Sequence, residues 1–159
     1  MTAPTTRFAA ETDIDAVAQL LRAMDAYYGD PLADLADYAA TVAATMAGRE
    51  GTRFALCLHE GKPAGLACFA VLRPGKGLTG LIFVKDLFVR AELQGRGLGR
   101  ELMRFTAAFA MSEGIGRIDL ATDRGNDRAR RLYERLGGVL RPAAYYTFPR
   151  NILGKLAEG

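Results

Sequence analysis

The stretch "QGRGLGRELM" sets Gly95, Gly97 and Gly99 at alternate positions with Arg96 and Arg100 among them, directly after the apolar run "LTGLIFVKDLFV". Glycine gives up conformational entropy wherever it is ordered, so three in five residues mark a turn where side chains would block an approach to the backbone. A phosphate is the chemistry that suits such a turn. A helix N-terminus offers about half a unit of positive charge together with unpaired N–H groups, and two arginines add full charges beside it. A tight turn that is merely glycine-rich remains the alternative on these residues alone. The letters exclude two phosphate motifs: no Gly-Lys-Ser or Gly-Lys-Thr of a P-loop occurs, and position 100 is arginine where a dinucleotide fingerprint needs glycine.

Further candidates lie on either side. Asp86 interrupts an apolar run in which a buried carboxylate is costly, so it is paired, at a solvent edge, or kept for a task. Lys85 is beside it, and strand alternation turns neighbouring side chains to opposite faces. In "AYYGDPLADLADY", Tyr27 and Tyr28 stand with Asp30, Asp34 and Asp37, a grouping that suits a cationic amine through charge and cation-π contact, or else a solvated loop with two packing aromatics. Cys57 and Cys68 sit in apolar runs without CxxC spacing and read as buried free thiols. His59 is the only histidine, so a His-based triad or a zinc site has nothing to build from, and no metal is expected.

The elements that must position these residues follow from periodicity. A short strand over 7–10 precedes a helix opened by Thr12 with Asp15 three residues on, whose Ile14, Val17, Leu21, Met24 and Tyr28 share a face until Gly29-Asp30-Pro31 stops it. An alanine-rich helix spans about 33–47. "TRFALCLHE" and "PAGLACFAVLR" read as a hairpin, followed by the strand ending at Val89, the glycine turn, and a helix with Leu98, Leu102, Phe105 and Phe109 on one face. "RIDLATD" supplies a strand. Asn126 starts a helix whose Ala129, Leu132 and Leu136 share a face, with Gly137 and Gly138 closing it, and 139–141 and 144–148 are expected as closing strands before a short tail. An antiparallel meander leading into a parallel βαβ crossover makes a mixed sheet.

Length and composition suit one domain over 1–159, half of it hydrophobic. No basic leader with an apolar core and no long apolar span occurs, so a cytoplasmic, soluble protein is expected. Charge is uneven: residues 1–50 hold three arginines against eight carboxylates, and 90–135 ten arginines against seven. That asymmetry suits a basic region for a polyanion and an acidic one for a cation, although many of these charges will be solvated helix faces.

With these motifs in order the chain resembles the GNAT superfamily of acyl-CoA-dependent N-acetyltransferases over nearly its whole length. Gln94-Gly95-Arg96-Gly97-Leu98-Gly99 matches that family's [QR]-x-x-G-x-[GA] turn, and Asn126 with Tyr133 seven residues on matches its second motif. The resemblance implies an α/β (α+β) single-domain fold, and acetyl-CoA as cosubstrate. It places the cofactor on Leu87, Phe88, Val89, Gln94, Gly95, Arg96, Gly97, Leu98, Gly99, Arg100, Asn126 and Ala129. Tyr133 would face the sulfur and protonate the departing thiolate. Asp86 would bind the acceptor or relay its proton, with Tyr27 and Tyr28 in the acceptor wall. "DLFV" looks like the branch that acetylates diamines, polyamines and related small amines, although Lys85 stands where a glutamate is usual there. The expected reaction is direct transfer to a small cationic or amino-acid-like amine; the other readings are a protein or peptide acceptor and a CoA-binding regulatory module without turnover. The expected partners are that amine and a second copy of the chain as a homodimer, with no nucleic acid and no membrane.

Overall fold

The computed structural model describes residues 3–48 and 51–158. Among them five strands lie side by side in chain order: β1 (Thr5–Phe8), β2 (Thr52–His59), β3 (Lys62–Leu72), β4 (Leu81–Val89) and β5 (Ile118–Leu120). β1 to β4 run antiparallel, and β5 joins β4 in parallel through a helical crossover. The α-helices are α1 (Ile14–Tyr28), α2 (Leu35–Ala47), α3 (Leu98–Ser112), α4 (Asp127–Arg135) and α5 (Arg150–Glu158). The expected mixed sheet and crossover are both present.

Alternation along the central strands feeds two cores, one on each face. Cys57, Ala67, Phe69, Ile82 and Val84 pack with Leu98 and Leu102 of α3. Leu56, Leu66, Cys68 and Phe88 pack with Val17, Leu20 and Val42 of α1 and α2 on the other face. Phe8 sits edge-on to Phe105 and Phe109 at 4.9 and 5.1 Å, tying β1 to α3. The β2–β3 hairpin turns on Glu60 and Gly61, both at positive φ (52° and 74°), the geometry whose twist matches the flanking strands.

α1 does not begin on Thr12 and Asp15. A 3-10 turn over Glu11–Asp13 intervenes, and Asp13, at the N-terminal boundary of α1, turns its carboxylate back to the start of that 3-10 turn. Its carboxylate accepts the Ala10 N–H at 2.8 Å and both guanidinium nitrogens of Arg7 at 2.6 and 2.9 Å. Arg7, six residues upstream, offers a bidentate partner that local spacing does not reveal.

The strand pairing shifts by one between β3 and β4. Cys68 faces Asp86 and Phe69 faces Val84, which leaves Lys85 as an extra residue without a partner opposite, a β-bulge. Ile82 and Val84 therefore face α3 before the bulge, while Asp86 and Phe88 face α1 after it. Gly65 is required beside this stretch, since a Cβ there would lie 2.6 Å from the Phe88 carbonyl oxygen.

The closing strands expected over 139–141 and 144–148 are not formed. Residues 139–149 have no regular structure, and the expected tail is α5. A strand exists only with a neighbour to pair with, and this segment lies at no sheet edge of its own chain.

Candidate functional site

β5 pairs with β4 only at Ile82, Phe83 and Val84, so β4 runs on from Lys85 to Val89 with no strand beside it on that side among the described residues. β5 ends at Leu120, so the backbone of Leu87, Phe88 and Val89 has no strand neighbour on that side among the described residues. Beyond the end of β4 the glycine turn leads into α3.

The three glycines do different work. Gly95 and Gly97 hold φ of 82° and 85°, the left-handed region that a side chain disfavours. Gly97 precedes α3, accepts the Glu101 N–H at 3.1 Å, and a Cβ on it would meet nothing within 4 Å, so its outer side is open to a ligand. The N–H groups of Leu98, Gly99 and Arg100 begin the helix without intrahelical partners, and they point toward that opening. Gly99 serves packing: a Cβ there would stand 3.1 Å from Leu132 of α4. Leu98 is buried and anchors the first turn to the sheet, while Arg96 and Arg100 are exposed. Gln94 is turned inward, its Nε2 donating to the Val89 carbonyl at 3.0 Å, which fastens the turn to the end of β4. Arg128 of α4 brings its guanidinium to within 3.6 Å of where a Cβ on Gly95 would be. This third cation was not singled out by sequence reasoning, because only the α3–α4 approach brings it to the turn.

Asn126 caps α4, its Oδ1 accepting the Ala129 N–H at 3.1 Å, so the Ala129 amide is already engaged. About two helical turns beyond Asn126, Tyr133 is largely buried. Burial pushes its phenol up to about 12, with the charge of nearby Tyr28 adding to the rise. The phenol is therefore a proton carrier at neutral pH, and Tyr28 of α1 is brought close to the α4 face.

On the α1 face of the sheet, the bulge turns Lys85 and Asp86 to the same side, where alternation would have separated them. Lys85 Nζ and Asp86 Oδ2 are 2.8 Å apart, with side chains 72% and 15% exposed. Burial alone would lower the Lys85 ammonium, but its hydrogen bond to Asp86 and the nearby Asp86, Cys68 and Asp25 raise it overall. Asp25 of α1 also accepts the Tyr38 hydroxyl. It is the second acidic residue of this face and has no signature in the sequence. Tyr27 stacks edge-on to Tyr28 at 5.2 Å and touches Phe88 at 6.1 Å between centroids. Asp30, Asp34 and Asp37 stay exposed in and after the α1–α2 connection. Cys68 is free, and its thiol is pushed up to about 11, by burial first and then by Asp86, which leaves it uncharged and unsuited to nucleophilic work at neutral pH.

The structure thus gathers two sets of groups around β4: an open glycine turn with arginines at its end, and a partly buried carboxylate with tyrosines on the α1 face. Among the described residues no group of three or more His, Cys, Asp or Glu side chains could hold a metal. No helix among them is long and apolar enough to cross a membrane.

The chain belongs to the Acetyltransferase (GNAT) family, whose model matches residues 16–138. A stretch of 56 residues is 34% identical to thialysine N-epsilon-acetyltransferase of Bos taurus, and it covers 35% of this chain and 33% of that protein. The chain thus matches about a third of that relative's length. Among solved structures, an integron cassette protein from V. cholerae superposes over 100% of both chains with a TM-score of 0.88 and 26% identity. An aminoglycoside acetyltransferase from an uncultured soil metagenomic sample covers 92% of this chain and 97% of its own with a TM-score of 0.76; at 20% identity it speaks for the fold alone.

Proposed function

We propose that this chain transfers an acetyl group from acetyl-CoA to the primary amine of a small cationic or amino-acid-like acceptor, by direct attack. The residues present fit the cosubstrate. Open left-handed glycines, the α3 N-terminus and the guanidinium groups of Arg96, Arg100 and Arg128 suit a pyrophosphate, and the unpaired side of β4 suits an amide-bearing arm. Acetyl-CoA supplies the activated acyl group as a thioester. The chain supplies Asp86 to take the proton that the ammonium must lose before its nitrogen can attack, backbone N–H groups of β4 for the charge that develops on the thioester oxygen, and the Tyr133 hydroxyl as proton donor to the departing thiolate. The neutral thiols of Cys57 and Cys68 favour direct transfer over an acyl-enzyme.

The observation that carries the acceptor class is the bulge-presented Asp86. Its pairing with Lys85 does not remove it from service: an ion pair whose lysine is 72% exposed is worth about 0–1 kcal/mol, so an incoming ammonium displaces Lys85 at little cost. Lys85 then remains beside the bound amine, where it can meet a carboxylate on an amino-acid-like acceptor. The relative named above acts, by its name, on the side-chain amine of such a compound.

An amine panel read by thiol release from acetyl-CoA tests the reading. Asp86→Asn should lower kcat/KM for cationic amines by roughly 10-fold or more while sparing acetyl-CoA affinity, since it removes one charge-assisted contact. Lys85→Glu should improve turnover of diamines relative to amino acids. A parent enzyme that prefers neutral or anionic acceptors, with Asp86→Asn fully active, would rule out the cationic acceptor and leave the family assignment intact.

A further inference from the structure

Carboxylate partners are unevenly shared among the arginines of the glycine turn, α3 and α4. Arg104 bonds Glu101 at 3.0 Å, and Arg130 lies 3.8 and 4.0 Å from Asp127 and Glu134. Arg96, Arg100, Arg128, Arg131 and Arg135 are exposed and form no hydrogen bond or ion pair among the described residues. On α4 the division follows the helical period. Asp127, Arg130 and Glu134 recur at steps of three and four and make one stripe, while Arg128, Arg131 and Arg135 recur at the same steps and make the next. The second stripe borders Leu132, which packs on α3: a Cβ on Gly99 would stand 3.1 Å from Leu132, and one on Gly95 3.6 Å from Arg128. These two contacts are four residues apart on both segments, so α4 runs beside the turn and α3 in the same direction, with its arginine stripe along the groove between them.

We propose, resting on the acetyl-CoA reading of the glycine turn, that Arg131 and Arg135 hold the ribose 3′-phosphate of CoA, so that the enzyme selects acetyl-CoA over its dephospho form. Charge balance favours a third phosphate. A pyrophosphate brings two negative charges to a region where five guanidinium groups lack a partner, and like charges three and four residues apart oppose the helix that carries them. A phosphomonoester adds about 1.5 to 2 negative charges at neutral pH and three terminal oxygens that the planar arginine fork fits. Placement agrees with this. Arg128 is at the glycine turn, and Arg131 and Arg135 stand about one and two helical turns further along α4, while the 3′-phosphate of CoA lies one ribose beyond its pyrophosphate. The extent of the stripe also limits the ligand. Three arginines over about 10 Å of helix meet one or two phosphates, whereas a nucleic-acid surface engages roughly 6 to 10.

Calorimetry on the full chain at low ionic strength, with CoA and with dephospho-CoA, tests the subsite. The parent should bind CoA roughly 10- to 100-fold more tightly, the factor that one charge-assisted hydrogen bond supplies. In Arg131→Gln/Arg135→Gln the two Kd values should come within about 3-fold of each other, because CoA binding weakens while dephospho-CoA binding does not change. Both positions are exposed, so the variant should keep the parent's circular dichroism and melting temperature. Parent affinities that already agree within about 3-fold, or a preference for CoA that survives in the double variant, overturn the subsite. A parent that binds neither ligand overturns the acetyl-CoA reading itself and the subsite with it. A short DNA duplex that binds more tightly than CoA at the same salt, and loses that affinity in the double variant, would assign the stripe to nucleic acid and overturn the proposal.

Discussion

Tyr133 owes its chemical character to burial on the inner side of α4, which holds the phenol protonated until about pH 12. A phenol held protonated in this way serves the departing thiolate, whose parent thiol ordinarily lies at about 8.5, by a hydrogen bond that stabilises the charge growing on sulfur, with the proton following as the thiol leaves. Tyr133→Phe keeps the ring and removes the proton, so kcat should fall by roughly 10²-fold with acetyl-CoA affinity little changed. The sign for pH follows from the raised value. The protonated form persists across about pH 7 to 10, so kcat should show no alkaline decline from this group in that range, and stopped-assay profiles of parent and Tyr133→Phe should run parallel there. A descending limb that disappears in Tyr133→Phe would assign the phenol a lower value and a different role. At this scale Asp86 was legible as a carboxylate interrupting an apolar strand. Its meeting with Lys85 was not, because alternation separates neighbours and only the bulge, set by pairing with β3, brings them together.

Two elements present their termini to function or to stability. The N-terminus of α3 is open at Gly97, where aspartate tolerates a left-handed backbone better than most residues and meets no atom within 4 Å. Gly97→Asp should therefore fold yet repel a pyrophosphate, and calorimetry should show acetyl-CoA binding weakened by roughly 10²-fold or more. The start of α1 depends on Asp13, whose carboxyl is held down at about 2, chiefly by the Arg7 hydrogen bond and then by the Ala10 N–H. A depressed carboxyl stabilises the fold above its unfolded value. Stability on the order of 1 kcal/mol, discounted because Arg7 is half exposed, should be present above about pH 4 and lost as pH falls toward about 2. Urea denaturation of Asp13→Asn should show that part of the acid dependence gone. The hairpin, α3 and the glycine turn were readable from periodicity and turn residues, since local rules govern them. The tail was not, because strand-forming composition in 139–148 makes a strand only beside a partner, and no described strand pairs with it. Arg128 and Asp25 escaped for a related reason: each reaches the site through helix packing that spacing does not encode.

Across the whole molecule the charge asymmetry of the sequence falls on two sides of one strand. The arginine-rich stretch supplies the glycine turn, α3 and α4, and the acid-rich first third supplies α1 and its connection. A polyanion drawn by exposed arginines should feel salt: between about 0.01 and 0.15 M the screening length shrinks from about 30 to about 8 Å, and the acetyl-CoA Kd should rise about 3- to 10-fold. An affinity indifferent to salt would place the phosphates away from Arg96, Arg100 and Arg128. β4 carries groups of both sets, and it does so with one residue more than its ladder needs. Every other β4 position from Leu81 to Val89, apart from Lys85, keeps a partner on β3. Residue 85 is thus an insertion that the sheet does not count. Its identity can change, or a single codon can be lost, without shifting the partners of any neighbour. If Lys85 meets the acceptor as proposed, a change at that one position would alter acceptor preference while the rest of β4 and the glycine turn stay in place.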